Sequence, residues 1–266
     1  MSLKRAFADL SVGQVHYAEC GDRNAPAVLL LHQSPRSYAE YRSVLPLIGA
    51  ERRAIAMDTA GFGDSCAGDV PASIEQWARV ACELLDSLGL QQSDVVGHHT
   101  GGVIAVELAA SFPDRVRSVV LSSTPYTGAA FRQARANSPP IDHVEPSADG
   151  SHLTALWQRR QGFYPADRPE LLQAFVLDAL KASGQLEDGH RAVASYRMED
   201  SIHRVRQPAL IIRAPQDPYA SPHAHELQQL LTQARIVDIA GGMVPLPDQL
   251  PEPFARAVLD FLRGLT

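Results

Sequence analysis

The stretch that most limits what this chain can fold into is Ser93 to Gly102, Ser-Asp-Val-Val-Gly-His-His-Thr-Gly-Gly, followed directly by the apolar run Val103 to Phe112. Asp94-Val95-Val96 reads as a short buried strand, and the alanine-rich segment behind the glycines reads as a helix. Between them, Gly97 and the pair Gly101-Gly102 allow a backbone turn too tight for side chains. The stretch therefore predicts a strand, a sharp turn and a helix in immediate succession, with His99 at the tip of the turn.

The rest of the chain repeats the strand-and-helix alternation. Lys4 to Leu10 and Gly13 to Cys20 read as an antiparallel hairpin at a sheet edge. Val28 to Leu31 is a continuous apolar run, as in a strand buried on both faces. A short helix over Tyr38 to Ile48, a strand over Arg53 to Met57, a helix over Ser73 to Leu88 with Ser73 as N-cap and Gly89 as its stop, and a strand over Val116 to Ser122 complete the first part. The alternation resumes at Ala209 to Arg213, with a helix from Pro222 to Leu231, a strand from Arg235 to Ile239 and a helix from Glu252 to Leu262. Strands alternating with helices predict right-handed crossovers and a doubly wound, mostly parallel sheet of the α/β class. Between Pro125 and Arg206 the pattern breaks into a polar, proline-bearing stretch and three helical segments, His152 to Gln161, Pro169 to Ala182 and Gly189 to Met198. The expected organisation is a core of residues 1–125 and 207–266 carrying a helical cap, residues 126–206, over the strand ends.

Composition excludes several classes of function. A net charge of −6 and no cluster of basic residues leave no field for holding phosphate backbones, so nucleic acid is not an expected partner. No run reaches the apolar length of a membrane span and the N-terminus has no long apolar core, so no membrane association and a cytoplasmic location are expected. Cys20, Cys66 and Cys82 are odd in number and widely spaced, which predicts reduced thiols, neither a disulfide framework nor a zinc site.

Five motifs, in order, carry a family resemblance. They are His32-Gln33-Ser34-Pro35 after a strand, Asp58 to Ser65 (Asp-Thr-Ala-Gly-Phe-Gly-Asp-Ser), Gly97-His98-His99-Thr100-Gly101, Gln216-Asp217-Pro218 after a strand, and Gly241-Gly242-Met243. Together they resemble the capped α/β-hydrolase fold: its H-G-x-P turn, its D-x-x-G-x-G-x-S turn, its G-x-S-x-G nucleophile elbow, its triad acid and the G-G-H that carries its base. The resemblance spans the whole chain. It also exposes two departures, because His99 stands where the family places its nucleophile and Met243 where it places its histidine, whereas Asp217 matches the acid.

What the resemblance implies for the site follows residue by residue. With the usual imidazole missing at Met243, a ring on the elbow could reach Asp217, and His99 oriented by Asp217 would act as general base or acid on water or on a substrate proton. The backbone N–H groups of Gln33 and Thr100 are the expected oxyanion pair. His32, Ser34, His98 and Met243 are expected around the pocket, with His98 facing the scaffold and His32 tying down the turn after its strand. His223 and His225 could supply a displaced base but read better as the start of a surface helix. Ser34, Ser65, Ser122 and Cys66 would be nucleophiles only if the elbow were abandoned. Arg159 and Arg160 read as a solvated face.

No metal is expected, since adjacent His98 and His99 point apart and the other histidines, His143, His152, His190 and His203 among them, lack i, i+4 spacing on one helix face. No organic cofactor is expected either. The reading is thus an enzyme, a hydrolase of a small organic ester, lactone or carbonyl compound that works through His99 and Asp217 without an acyl-serine, as a monomer or homodimer. Two alternatives share the same features: a cofactor-independent lyase or C–C cleaving enzyme, and a catalytically silent ligand-binding protein of the same fold.

Overall fold

In the computed structural model, which describes residues 2–69, 71–182 and 186–265, the strands are β1 (Lys4–Leu10), β2 (Gly13–Cys20), β3 (Ala27–Leu31), β4 (Arg53–Met57), β5 (Ser93–His98), β6 (Val116–Ser122), β7 (Ala209–Arg213) and β8 (Ala234–Asp238). The helices are α1 (Val44–Gly49), α2 (Ile74–Ser87), α3 (Thr100–Ser111), α4 (Ala129–Ala136), α5 (Ser151–Gln161), α6 (Pro169–Lys181), α7 (Asp188–Ser195), α8 (Ala224–Leu230), α9 (Leu246–Gln249) and α10 (Pro251–Arg263). One sheet joins the strands in the order β1-β2-β4-β3-β5-β6-β7-β8. The hairpin β1-β2 is antiparallel at the edge, β2 meets β4 antiparallel, and the pairings from β4 to β8 are parallel. The expected α/β class and its mostly parallel sheet are present.

The central strands are apolar throughout because both their faces are covered. Successive side chains point to opposite faces, so Leu29 and Leu31 of β3 pack towards α2 and α3 and Val28 and Leu30 towards α1 and α10. Each Leu-sized side chain buried this way contributes about 1.5–3 kcal/mol. Helix α2 begins where the sequence signals it, with the Ser73 hydroxyl accepting the Gln76 N–H at 3.1 Å, and ends at Gly89, whose φ of 68° suits glycine.

The strand order places the site. From β3 the chain steps outward to β4, whereas from β5 it steps the other way to β6, β7 and β8. The reversal between β3 and β5 opens a crevice at their carboxyl ends, flanked by the loop at His32 to Pro35 and by the turn at His99.

Helices α4 to α7 lie between β6 and β7 in sequence, and α5 and α6 with the loop joining them have a small core of their own, built on Leu156, Tyr164, Leu172 and Phe175. Buried polar bonds tie them to the sheet domain. Asp178 of α6 accepts from Arg36 Nε at 2.8 Å and Ser37 Oγ at 2.9 Å, and Tyr196 Oη donates to Glu107 of α3 at 2.6 Å. Glu187 accepts the N–H groups of Ile141, Asp142 and His143, which pins the polar stretch before α5.

Three elements differ from expectation. Tyr38 to Ile48 is not one helix: the Tyr38 N–H is held by Asp58 Oδ1 at 2.6 Å, a short 3₁₀ turn follows, and the helix restarts as α1 with Pro46 in its first turn. Helix α4 forms in a stretch with no side-chain cap and buries none of its residues fully. Helix α9 is only four residues long.

Candidate active site

The turn after β5 is strained and leaves no room for larger residues. His99 has φ 46° and ψ −111°, a conformation that costs a non-glycine residue on the order of 1–3 kcal/mol and clusters at functional sites. A Cβ on Gly97 would come within 2.1 Å of the Gly101 carbonyl oxygen, and one on Gly101 within 1.9 Å of that of Leu31. The glycines are therefore obligatory, and the side chain they thrust forward is the His99 imidazole. Its ring meets that of His98 edge-on, at 4.8 Å between centroids and 90°.

His99 and Asp217, more than a hundred residues apart in sequence, are brought together. His99 Nε2 lies 2.8 Å from Asp217 Oδ2, an ion-pair distance, and neither atom has a further partner among the described residues. The other carboxylate oxygen is fixed by the N–H groups of Tyr219 at 2.9 Å and Ala220 at 3.2 Å. Burial would raise the Asp217 carboxyl, but the His99 imidazole and the Tyr219 N–H override it and hold it down to about 2. Asp217 is thus an anion sealed from water behind the ring, and the ring's Nδ1 is left for the cavity.

The flanking histidines are spent on the scaffold. His98 is fully buried, with Nε2 2.8 Å from the Val244 carbonyl and Nδ1 2.9 Å from Ser122 Oγ. A carbonyl accepts only, so Nε2 carries the proton and Nδ1 accepts from the serine. Burial and the neighbouring His99 push this imidazole down to about 3. His32 uses both nitrogens as well: Nε2 accepts the Thr59 N–H at 2.9 Å and Nδ1 donates to the Gln33 carbonyl at 2.8 Å. Burial lowers its pKa against the pull of Asp58.

The expected oxyanion pair needs one correction. The Gln33 N–H is donated to Glu40 Oε2 at 2.9 Å, and the Gln33 side-chain amide to Glu40 Oε1 at 2.5 Å. A buried carboxylate seven residues on has claimed that donor, so it is not available to a substrate oxygen. The next amide, that of Ser34, faces the elbow instead and makes a long 3.3 Å bond to Thr100 Oγ1. The Thr100 N–H opens α3 and has no acceptor among the described residues. Met243 is half-buried, its N–H held by Gln249 at 2.7 Å; it does not line the cavity, whereas Val244 does.

The cavity above the elbow has a volume of about 580 Å³, with His99, Ser34 and Thr100 on the sheet-domain side and Phe131, Arg160 and His190 among the residues on the inserted side. Arg160 is not a solvated side chain as expected. It is buried, donates through Nε to Asp142 Oδ1 at 2.6 Å and through a second nitrogen to Oδ2, and lies 5.0 Å from the Phe175 ring centre. His190 Nε2 sits 2.7 Å from the same Asp142. Asp142 and Glu187 with His190, and His16 with Asp58 and Asp64, are the groups of donors close enough to share a cation among the described residues. Each is engaged already: Asp142 by Arg160, Glu187 by three backbone N–H groups, and Asp58 by the N–H groups of Tyr38 and Asp64. Two of the serine hydroxyls are similarly occupied, Ser65 Oγ by the Asp58 carbonyl at 2.8 Å and Ser122 Oγ by His98, whereas Ser34 Oγ lies against Gly189 of α7. Cys66 is exposed. Of the candidate displaced bases, His223 packs edge-on against Phe131 and His225 is exposed.

A family model for the alpha/beta hydrolase fold matches residues 26–244, which takes in the turn after β3, the elbow and Asp217. The chain belongs to the α/β-hydrolase family. Among relatives of this hydrolase, the putative carbamate hydrolase RutD of Pseudomonas savastanoi pv. phaseolicola is 30% identical over 261 residues, covering 93% of this chain and 97% of the relative. A 2-hydroxymuconate semialdehyde hydrolase of Pseudomonas sp. is 32% identical over 153 residues, 57% of this chain and 47% of that one. In three dimensions the hydrolase superposes on an enol-lactonase from Burkholderia xenovorans with a TM-score of 0.80 and 24% identity, over 97% of this chain and all of the other; at that identity the likeness establishes the fold.

Proposed function

We propose that this hydrolase cleaves a small carbonyl substrate, a carbamate, ester or lactone, by general base catalysis from His99 paired with Asp217. The observation that carries the reading is the 2.8 Å contact between His99 Nε2 and an Asp217 carboxylate kept anionic behind it. In the neutral ring, Nδ1 takes a proton from a water molecule in the cavity as that water attacks the substrate carbonyl. The imidazolium formed is stabilised by Asp217, and its proton then passes to the leaving oxygen or nitrogen, so no covalent acyl-enzyme arises. The developing oxyanion fits the N–H of Thr100 and, once the long bond to Thr100 Oγ1 is given up, that of Ser34. The kinship with a carbamate hydrolase over nearly the whole chain supports the substrate range.

The test is a screen of 4-nitrophenyl esters and N-alkyl carbamates, followed by product analysis of the best substrate in heavy-oxygen water. The account requires one labelled oxygen in the acid or carbamic product and a fall in turnover of about 10²-fold or more in Asp217→Asn. Product without label, or an Asp217→Asn variant with undiminished turnover, would rule the mechanism out.

A further inference from the structure

The cavity is charged on one side only. Its lining includes Arg135, Arg159 and Arg160 and no aspartate or glutamate, in a chain whose net charge is −6. The three arginines are not equivalent. Arg160 is neutralised by its paired bonds to Asp142. Arg135, half-buried in the last turn of α4, has no ion-pair partner among the described residues. Arg159 of α5 is exposed and, among the described residues, has only a long 3.4 Å bond to the Ile141 carbonyl. Two guanidinium groups thus border the cavity without a counter-charge, and the rigid Arg160-Asp142-His190 cluster backs the same wall. Apolar residues contribute much of the remaining lining, among them Phe131, Val193, Val244 and three prolines.

From this asymmetry we infer that the substrate is an organic anion: an apolar body that fills the middle of the cavity, with a carboxylate held by Arg135 and Arg159 and the reacting carbonyl at His99. A planar guanidinium offers paired N–H donors that match a carboxylate, and an uncompensated pair in a partly enclosed cavity gains more from an anion than it would at an open surface. The inference rests on the hydrolase reading for its reacting end, but not for its anionic end.

Binding separates the two. Titration calorimetry with 1-naphthoate and with 1-naphthamide, of the same shape but uncharged, is run on the full-length protein, on His99→Ala and on Arg135→Gln/Arg159→Gln. The expected result is saturable binding of naphthoate at least tenfold tighter than of naphthamide, weakened by 0.5 M salt. The preference should be retained in His99→Ala and lost in the double arginine variant. Equal affinity for acid and amide, no binding of either, or a preference for the acid that survives the double substitution would overturn the inference. Retention of the preference in His99→Ala together with failure of the labelling experiment would leave the anion site standing and remove only the His99 mechanism.

Discussion

Two histidine–carboxylate pairs face the same cavity from opposite sides, and they differ in what else the carboxylate touches. Asp217 has His99 at 2.8 Å as its one charged contact, its other oxygen being held by two backbone N–H groups. Asp142 has His190 at 2.7 Å, but it is also gripped at both oxygens by Arg160. Burial would raise the Asp142 carboxyl; Arg160 first, then His190, hold it well below the usual carboxylate range. The arginine therefore already balances the Asp142 charge. At Asp217 no second cation lies within ion-pair distance among the described residues. The backbone repeats the contrast: His99 stands in a strained turn that exposes its ring, whereas His190 sits within α7.

The largest expected effect is on the sheet-domain side. Gly97→Ala or Gly101→Ala places a Cβ within 2.1 Å or 1.9 Å of a backbone oxygen, with no flexible side chain to yield. Soluble expression and far-ultraviolet circular dichroism should show loss of the folded state, whereas Gly162→Ala, with nothing within 4 Å of the new Cβ, should fold. On the inserted side, Asp142→Ala leaves Arg160 buried without its partner and should cost about 3–5 kcal/mol in urea unfolding. Asp217→Asn, by contrast, should cost less, about 2–3 kcal/mol for the lost stabilisation of the anion, while removing activity. A reversal, with Asp217→Asn crippling stability and Asp142→Ala sparing it, would mean that the roles of the two pairs had been exchanged.

A third carboxylate sharpens the point through pH. Glu40 is fully buried, 3.9 Å from Arg36, which is also bonded to Asp178 and Asp248. Burial raises Glu40 from its ordinary 4.5 to about 7, against the opposing pull of Arg36. A raised folded-state pKa means the folded protein binds the proton more tightly than the unfolded chain. The resulting stability is fully present below pH 4.5 and is lost as pH rises through about 7. Between those limits this group alone should lower stability by on the order of 2–3 kcal/mol, and Glu40→Gln should flatten that slope. Asp142 and Asp217, with depressed values, contribute in the opposite sense, losing their stabilisation only as pH falls below the ordinary carboxylate range. Chemical denaturation at pH 5 and pH 8 reads the Glu40 sense, and a further series below the ordinary carboxylate range reads the opposite one. The smallest effect is a null one: with Ser65 and Ser122 bonded elsewhere and an imidazole in place of a hydroxyl at the tip of the elbow, a fluorophosphonate should leave the intact mass unchanged. A stoichiometric adduct on any cavity serine would show a nucleophile at work in place of His99.

How much of this the sequence discloses depends on the range of the interaction concerned. The strands announce themselves because a doubly covered strand must be continuously apolar, as in Val28 to Leu31, and the elbow because only glycine tolerates its close approaches. The pairing of His99 with Asp217 is legible only through the order of motifs, since the missing imidazole at Met243 is what points from one to the other. Helix α4 is not legible: Ala129 to Ala136 has no capping side chain and buries no residue fully, although it carries Phe131 and Arg135 to the cavity. Arg160 reads as surface because its partner Asp142 is eighteen residues away in a polar stretch. The Gln33 amide is lost to Glu40 through a contact that no local pattern encodes.

The central claim is that His99 is the base, and kinetics of His99→Ala on the best substrate from the ester and carbamate screen test it most directly. The account predicts that kcat falls by about 10²–10⁴-fold while 1-naphthoate still binds, with part of the rate restored by added imidazole. Unaltered kcat in His99→Ala, with the fold intact, would contradict it.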